Sequence, residues 1–356
     1  MTSSAARLLG FAAISLVGPG AALGQAESFA EQSGLTAVAG VKVGHYTLSE
    51  RPTGCTVVVI EKGAVGGVDV RGGAPGTRET DLLDPVNSVE TIHAVVLSGG
   101  SAFGLDAATG VMRFLEEQGV GFETGVAEVP IVVGAILFDL GVGEDPSVRP
   151  GAACGYQAAL RADASPVAEG NVGAGAGATV GKLQGSRRAM KGGIGTASVT
   201  LPDGLTVAAL VAVNAIGDVI DPQTGQVIAG VRTEDGAGLA DARRLIRSGA
   251  TVRQLPLQNT SIGVVATNAD LTKPQATKIA QMAHDGFARA IYPSHMPWDG
   301  DTIFSFGTGE YGGNADLSTI GALAADVMAE AVVRAVRAAT SIEGFPAARD
   351  MPSGGR

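Results

Sequence analysis

Two adjacent polar residues, Asn259 and Thr260, stand just before an apolar, β-branched run, Ile262 to Ala266. Such a run predicts a buried strand, so Thr260 is predicted to lie where a loop enters the core. If the bond between Asn259 and Thr260 were cut, Thr260 would carry a free α-amine beside its hydroxyl. One residue would then supply both a nucleophile and its base. Ser261 offers the same chemistry, and the residue types alone allow either.

Other kinds of catalytic site find little support in the sequence. His45, His93, His284 and His295 are scattered, and neither a Gly-x-Ser-x-Gly elbow nor a His-Glu-x-x-His helix is present. The two cysteines lack the paired spacing of a zinc site. The stretch from Asp299 to Thr302 is acidic, but the twelve-residue calcium loop with its terminal Glu is absent. We therefore predict no metal site.

Two glycine-rich segments suggest anion binding. The turn from Ser98 to Ser101 follows an apolar strand, and it is either a backbone-amide site for an anion or carbonyl, or a tight connection. The tract from Gly173 to Lys182 resembles a phosphate-binding loop but has Ala176 where Gly is needed and Leu183 where Ser or Thr is needed. No strand is predicted before it, so we reject nucleotide binding for this tract.

Composition limits the classes of partner. The chain has 356 residues, a net charge of −10 and 45% hydrophobic residues, so it can bury a large core. Its basic residues cluster only in short pairs, such as Arg187-Arg188. We therefore expect no nucleic-acid partner and no binding to anionic lipid.

The first residues are typical of a targeting segment. Arg7 precedes the apolar run Leu8 to Gly18, and small residues follow. This pattern predicts a signal peptide over residues 1–24, a periplasmic or secreted protein, and no membrane span in the mature form. Cys55 and Cys154 could pair in an oxidising compartment, but we interpret them as separate buried thiols.

The mature chain alternates strand and helix patterns. An Asp-Gly turn at 202–204 predicts that two of the strands form a hairpin. The predicted strands are Val38–Tyr46, Cys55–Ile60, Gly66–Arg71, His93–Leu97, Ile131–Leu140, Gly195–Leu201, Leu205–Val213, Ile262–Ala266 and Ile303–Phe306. The predicted helices are Leu105–Leu115, Ala152–Ala162, Asp270–Ala290 and Leu317–Ala339, with a short helix or linker at Gly236–Gly249.

A series of short motifs runs in order from about residue 38 to 337. They are Gly44-His45-Tyr46, Pro52-Thr53-Gly54-Cys55-Thr56, Val70-Arg71-Gly72-Gly73-Ala74, Leu97-Ser98-Gly99-Gly100-Ser101-Ala102-Phe103-Gly104-Leu105, Val180-Gly181-Lys182, Val213-Asn214, Asn259-Thr260 and Asp299-Gly300-Asp301-Thr302. Together they resemble the self-processing L-aminopeptidase/D-esterase family, which includes β-peptidyl aminopeptidases and nylon-oligomer hydrolases.

The resemblance implies a precursor that cuts itself between Asn259 and Thr260. The products would be an α chain, residues 25–259, and a β chain, residues 260–356, of one hydrolase domain. The implied fold is an α/β protein of the N-terminal-nucleophile type, an αββα sandwich of two central sheets flanked by helices. It also implies a homo-oligomer of αβ units, and no cofactor is expected.

The resemblance assigns roles to five residues. Thr260 would be the nucleophile, and its free amine the base. Asn214 would stabilise the oxyanion, Lys182 would hydrogen-bond near the nucleophile and keep the amine neutral, and Asp299 and Asp301 would orient Thr260 and Lys182.

The sequence departs from the family pattern in two places. Some members carry a tyrosine where Phe138 stands, and its hydroxyl is absent here. Peptidase members often have Ser and Glu where this chain has Asp299 and Asp301.

The expected activity is hydrolysis of the amide or ester bond after the N-terminal residue of a small peptide. Alternatives are a nylon-oligomer-like amide hydrolase, an acyltransferase of the ornithine acetyltransferase type, and a binding protein that remains uncut.

Overall fold

The computed structural model describes residues 1–2, 34–249 and 259–351. Residues 31–356 form one unit, and the fold below is that of its described part. Of the other unit, residues 1–30, only Met1 and Thr2 are described. Nearly all of the predicted signal peptide, residues 1–24, therefore lies outside the described residues, as do residues 250–258 before the predicted cleavage site.

Strands and helices alternate along the chain. The strands are β1 (Lys42–Thr47), β2 (Gly54–Val70), β3 (Thr77–Arg78), β4 (Thr91–Ser98), β5 (Phe122–Glu123), β6 (Glu128–Val129), β7 (Val132–Ile136), β8 (Thr179–Val180), β9 (Met190–Lys191), β10 (Gly193–Thr200), β11 (Thr206–Val213), β12 (Asp218–Ile220), β13 (Val227–Ala229), β14 (Ile262–Thr267), β15 (Ile291–Tyr292) and β16 (Thr302–Gly307). The α-helices are α1 (Ala107–Glu117), α2 (Ala152–Leu160), α3 (Ala242–Arg247), α4 (Lys273–Ala290) and α5 (Leu317–Ala338). Within the described ranges, no helix is both long and apolar enough to cross a membrane.

The long strand β2 belongs to two layers of one hydrogen-bonded sheet. Its first half, from Gly54 to Val59, pairs with β1 and β4, and its last residues, Val65 to Val70, pair with β16. The register with β4 shifts between Val59 and Ala64, where the strand changes layer. One layer contains β1, β4, β7 and β3, and the other contains β16, β14, β11 and β10.

Alternation along β11 shows how the layers are covered. Val207, Ala209, Val211 and Val213 belong to the core shared with α4 and α5, whereas the alternate residues Ala208, Leu210 and Ala212 belong to the core between the two layers. A third core joins the other layer to α1 and α2. The order helices, sheet, sheet, helices confirms the predicted αββα sandwich.

The structure shifts some predicted boundaries. The strand predicted over Val38–Tyr46 begins only at Lys42, because Gly34–Ala37 forms a 3-10 turn. The strand predicted at Gly66–Arg71 is the second half of β2. The small sheet β13-β12-β15 was not predicted, since strands of two or three residues carry too little periodicity to detect. The hairpin between β10 and β11 is confirmed.

The interpretation of Cys55 and Cys154 as separate thiols is wrong in this structure, which pairs them in a disulfide. Cys55 begins the buried part of β2, and Cys154 lies on α2, which covers that layer. The packing of α2 on the sheet brings the two Cα atoms to 6.3 Å, although 99 residues separate them in sequence.

The glycine turn after β4 is a tight connection. Gly99 N–H donates to Gly54 O (2.9 Å), Gly100 N–H to an oxygen of the Asp139 carboxylate (2.9 Å), and Ser101 N–H to Leu137 O (3.0 Å). Gly100 has φ 83°, a conformation that favours glycine. Because internal acceptors take these three amides, the structure does not support the anion-site interpretation.

Candidate active site

The predicted site residues lie together where the ends of three adjacent strands meet. β14 and β16 run parallel with Ile262 opposite Thr302, so the residues before each strand lie side by side. β11 runs antiparallel to β14 and pairs Ala212 with Ile262, which brings Asn214 to the same edge. Lys182, just after β8, hydrogen-bonds to Asn214 there. The five predicted residues converge and are at most 4% exposed.

The Thr260 hydroxyl lies against the bond that is predicted to be cut. Its Oγ1 donates a hydrogen bond to the carbonyl oxygen of Asn259. Oγ1 also accepts a hydrogen bond of 3.1 Å from the backbone amide of Gly300. The backbone amide of Thr260 donates to Asn214 O at 3.1 Å. The hydroxyl is thus fixed next to its own preceding carbonyl group.

Asn214 holds the lysine beside Thr260. Lys182 Nζ donates to Asn214 Oδ1 (2.8 Å) and to Asn214 O (3.1 Å), the oxygen that also accepts the Thr260 amide. The Asn214 Nδ2 group donates to Phe138 O at 2.9 Å. In the intact chain this Nδ2 group therefore already has an acceptor, and the predicted oxyanion role of Asn214 stays a prediction.

Burial moves two pKa values toward neutrality from opposite sides. Desolvation lowers the pKa of Lys182 to about 7, an effect that the charges of Asp299 and Asp139 partly offset. Desolvation and then the Asp301 charge raise the pKa of Asp299 to about 7, while the Met296 N–H opposes the rise. Asp299 Oδ1 is buried without a hydrogen-bond partner among the described residues. A proton near pH 7 can therefore reside on either group.

Asp301 fixes the backbone after Thr260. Its Oδ1 accepts the Ser261 amide at 2.7 Å, and its Oδ2 accepts the backbone amide of His295 at 3.0 Å. The His295 ring Nδ1 lies 2.9 Å from the same Oδ2. Asp301 positions the chain, while Asp299 has a free carboxylate oxygen.

The loop Gly72-Gly73-Ala74 clamps the acidic loop in place. Gly72 N–H donates to Asp301 O (3.1 Å) and Ala74 N–H to Asp299 O (2.8 Å). A Cβ on Gly72 would lie 2.3 Å from Asp299 O and from Asp301 N. Glycine is therefore needed where the two backbones meet.

Two site residues were missed at the sequence level. Gly300 contributes through its backbone amide, and a Cβ there would lie 2.7 Å from Thr260 Oγ1. His295 was grouped with the scattered histidines, although it lies only six residues before Asp301 in the same loop. That proximity was the available signal for His295, whereas a backbone donor such as Gly300 leaves no side-chain signal.

Phe138 lines a small cavity of about 20 Å³ with Thr179 and Lys182. It provides its carbonyl to Asn214 but has no hydroxyl to offer a reacting group. In the described ranges no group of three or more His, Cys, Asp or Glu side chains is arranged to hold a metal ion.

Comparisons with known proteins identify the family of this chain. Peptidase family S58 matches residues 33–349. A protein named uncharacterized aminopeptidase from Mycobacterium tuberculosis is 46% identical over 349 residues, covering 89% of this chain and 97% of the relative. A 6-aminohexanoate-oligomer endohydrolase from Kocuria sp. is 32% identical over 324 residues, covering 84% of each chain.

Solved structures agree on the fold. A Burkholderia sp. beta-aminopeptidase superposes with a TM-score of 0.62 at 25% identity, covering 88% of this chain and 89% of that one. The L-aminopeptidase D-Ala-esterase/amidase from Ochrobactrum anthropi, described as a variant of the Ntn hydrolase fold, has a TM-score of 0.62 at 22% identity and covers 86% of each chain. The chain has this fold, belongs to peptidase family S58, and is a hydrolase of the aminopeptidase kind.

Proposed function

We propose that this protein cuts itself between Asn259 and Thr260. The processed enzyme then hydrolyses the amide or ester bond after the N-terminal residue of small peptides through a Thr260 acyl-enzyme. The observation that carries the proposal is the position of Thr260 Oγ1 against the Asn259 carbonyl, with the Gly300 amide directed at the same hydroxyl. In the proposed reaction the chain itself is the first substrate, and this contact supports the proposal because it keeps the attacking hydroxyl beside the bond to be cut.

Self-cleavage would proceed by an acyl shift and then hydrolysis. Thr260 Oγ attacks the Asn259 carbonyl carbon, the C–N bond breaks, and the Thr260 nitrogen leaves as an amine, giving an ester. Water then hydrolyses the ester, which releases the Asn259 carboxylate and restores the Thr260 hydroxyl. The hydroxyl proton needs an acceptor, and Lys182 and Asp299, whose pKa values both lie near 7, are buried close by.

The contacts favour Thr260 over Ser261 as the new N-terminus. Ser261 Oγ is buried without a hydrogen-bond partner among the described residues. The Ser261 amide is held by Asp301 at 2.7 Å, so this residue has a fixed backbone and an unengaged hydroxyl. Thr260 Oγ1, in contrast, contacts both the preceding carbonyl and an amide donor.

In the processed enzyme the freed α-amine of Thr260 would act as the base. A chain-terminal amine has a pKa near 7.7 to 8.0, so a large fraction is neutral near pH 8. It would take the hydroxyl proton during attack on the substrate and return it to the leaving amine. Below about pH 7, where Lys182 is charged, it would disfavour protonation of this amine. Asp299 and Asp301 would orient the groups, and Asn214 would turn its Nδ2 from Phe138 to the oxyanion.

The names of the relatives support two classes of small amide substrate. The Mycobacterium tuberculosis relative is named an aminopeptidase, and the Kocuria sp. relative a 6-aminohexanoate-oligomer endohydrolase. The Asp299–Asp301 pair resembles that of the nylon-oligomer hydrolases, so cleavage of ω-amino acid oligomers is the second candidate activity. We also propose export after removal of residues 1–24 and assembly of αβ units into a homo-oligomer.

The test combines processed protein with three substrates: an alanyl p-nitroanilide, a 6-aminohexanoate dimer, and an alanyl ester with added hydroxylamine as acyl acceptor. Release of alanine and nitroaniline supports the aminopeptidase, and release of 6-aminohexanoate supports the second candidate. Formation of hydroxamate in preference to alanine would instead indicate an acyltransferase. Failure to hydrolyse any of them, by a chain that stays uncut, would refute the proposal.

A further inference from the structure

Next to the candidate site lies a cleft with two arginines at its wall. The cleft has a volume of about 550 Å³, which is within the size range of small-molecule sites. Its lining includes Arg187, Arg232, Ile342, Phe345 and Pro346. The cleft thus combines two cationic side chains with apolar walls.

Among the residues that the structure describes, the two guanidinium groups have no carboxylate partner. Arg187 is exposed, and within the described ranges its side chain makes neither a hydrogen bond nor an ion pair. The Arg232 side chain makes one hydrogen bond there, from Nη2 to Arg187 O at 2.5 Å. Glu234, an acidic residue two positions from Arg232, lies 3.8 Å from Arg188 instead. Uncompensated positive charge is notable in a chain with a net charge of −10.

Arg232 is held in place before any ligand binds. Its backbone amide donates to Arg188 O (2.9 Å), and Arg188 Nε donates to Arg232 O (2.6 Å). Arg232 Nε is buried without a hydrogen-bond partner among the described residues. The opposite wall is anchored as well, because Pro346 O accepts the Lys191 amide of β9 at 2.9 Å. Fixed walls lower the ordering cost of binding.

Phe345 connects the cleft to the candidate site. It lines both the cleft and the small cavity that Lys182 and Thr179 line. Ser186, the residue before Arg187, also lines that small cavity. Lys182 in turn shares the acceptor Asn214 O with the Thr260 amide. Phe345 and Ser186 thus link the wall that carries the two arginines to the residues beside Thr260.

Charge decides which end of a substrate fits the cleft. The acyl part of an aminopeptidase substrate carries a free ammonium group, which two guanidinium groups would repel. The leaving part of a short peptide, or of an amino acid oligomer, ends in a carboxylate, which arginine binds well through paired N–H donors. The cleft therefore suits the leaving part.

We propose that Arg187 and Arg232 form a carboxylate-binding subsite for the leaving group, so that the enzyme prefers short substrates with a free C-terminal carboxylate. This inference rests on the proposed hydrolase function and names the substrate class within it. C-terminal amides lack this carboxylate, and long peptides carry it too far from the scissile bond to reach the subsite.

The experiment compares alanyl-alanine with alanyl-alaninamide as substrates of the processed enzyme at low salt. We expect kcat/KM to favour the free carboxylate by about tenfold, mainly through KM, and the preference to shrink as salt is added. Arg187→Gln and Arg232→Gln should each reduce the ratio of the two kcat/KM values severalfold. Arg113→Gln on α1, an exposed arginine paired with Glu117, is the matched control and should keep the ratio.

Outcomes separate the two proposals. Equal hydrolysis of both dipeptides by the wild-type enzyme, or a ratio unchanged in both arginine variants, would overturn the subsite while leaving the hydrolase function in place. Arg187 is exposed, so its variant tests the subsite even if Arg232→Gln fails to fold. Absence of turnover with either dipeptide and with the p-nitroanilide would overturn the hydrolase function and the subsite together.

Discussion

Asp139 and Asp299 are two buried carboxylates close to Lys182, and they differ in how their oxygens are satisfied. Asp139 Oδ1 accepts from Arg51 Nη2 (2.8 Å) and from Gly100 N–H (2.9 Å), and its Oδ2 accepts from Thr53 Oγ1 (2.5 Å). Both of its oxygens are thus engaged by donors, and one donor is a guanidinium cation.

Among the described residues, the Asp299 carboxylate accepts one hydrogen bond, from the Met296 amide to Oδ2 (3.1 Å), and its Oδ1 has no partner. Burial without compensation raises its pKa to about 7. A fully engaged carboxylate holds structure together, whereas an under-engaged one can exchange a proton. The Asp139 cluster is therefore interpreted as structural, and the Thr260–Asp299 cluster as the reacting one.

The largest expected effect comes from removing one threonine hydroxyl from each cluster. Thr260→Ala should abolish self-cleavage and lower amide hydrolysis at least a thousandfold, because the nucleophile is lost. Thr260→Ser should still cut. Thr53→Ala removes a donor to Asp139 and should lower stability by about 1–2 kcal/mol while processing continues. Denaturing gels measure self-cleavage and thermal melts measure stability. Loss of processing in Thr53→Ala would contradict the distinction between a structural Asp139 cluster and a reacting Thr260–Asp299 cluster.

A methyl group added to each cluster is the next test. Gly300→Ala would put a Cβ 2.7 Å from Thr260 Oγ1, so we expect processing to slow about a hundredfold or more with a modest change in Tm. Gly99→Ala would put a Cβ 2.2 Å from Asp139 Oδ2 and should lower Tm strongly. Time courses of cleavage after purification measure the first effect. Normal processing by Gly300→Ala would contradict the role of its amide.

Stability against pH should separate the two carboxylates. The raised pKa of Asp299 means that its contribution to stability is full below about pH 4 and is lost as pH rises through 7. In a Thr260→Ala background, Asp299→Asn should therefore gain about 2 kcal/mol relative to its parent between pH 5 and pH 8. Asp139→Asn leaves the Arg51 cation unpaired and should lose about 3–5 kcal/mol at both pH values.

Denaturant titrations at the two pH values measure these differences. A pH-independent effect of Asp299→Asn would show that its carboxylate is ionised throughout this range, and it would remove the distinction between the clusters.

The smallest effect is expected at His295. His295→Ala keeps the backbone donor to Asp301 but removes the ring contact of 2.9 Å, so cleavage should slow about tenfold and its pH profile should shift. His295→Asn, whose side-chain amide can donate from the position of Nδ1, should restore part of the rate. His93→Asn, in a histidine that contacts Ile131 away from the site, is the control. An unchanged rate and pH profile would make the His295 contact structural only.

Local patterns were sufficient to predict the alternation of strands and helices and the position of Thr260 at the start of a strand, whereas the αββα sandwich came from the family resemblance. Alternation along β11 and the apolar run of β14 are properties of neighbouring residues, so the strand ends at Asn214 and Thr260 could be located in advance. The Cys55–Cys154 disulfide could not be predicted, because it depends on how α2 packs across 99 residues of sequence.

The chemistry of the site was only partly predictable for the same reason. The resemblance supplied Lys182, Asn214 and the two aspartates as residues, but their contacts arise from packing. The free Oδ1 of Asp299 and the donation of Asn214 Nδ2 to Phe138 both depend on which distant groups meet at the sheet edge. The glycine turn after β4 shows the same dependence. Its backbone amides donate to acceptors that are distant in sequence, and the local sequence does not reveal them.

The most direct test of the central claim is intact-mass analysis of the purified protein together with N-terminal sequencing of its smaller fragment. Self-cleavage at the proposed bond predicts two chains, with the smaller beginning Thr260-Ser261-Ile262, and a single full-length chain in Thr260→Ala. A wild-type protein that remains one chain while hydrolysing substrate, or a smaller fragment that begins at Ser261, would contradict the account.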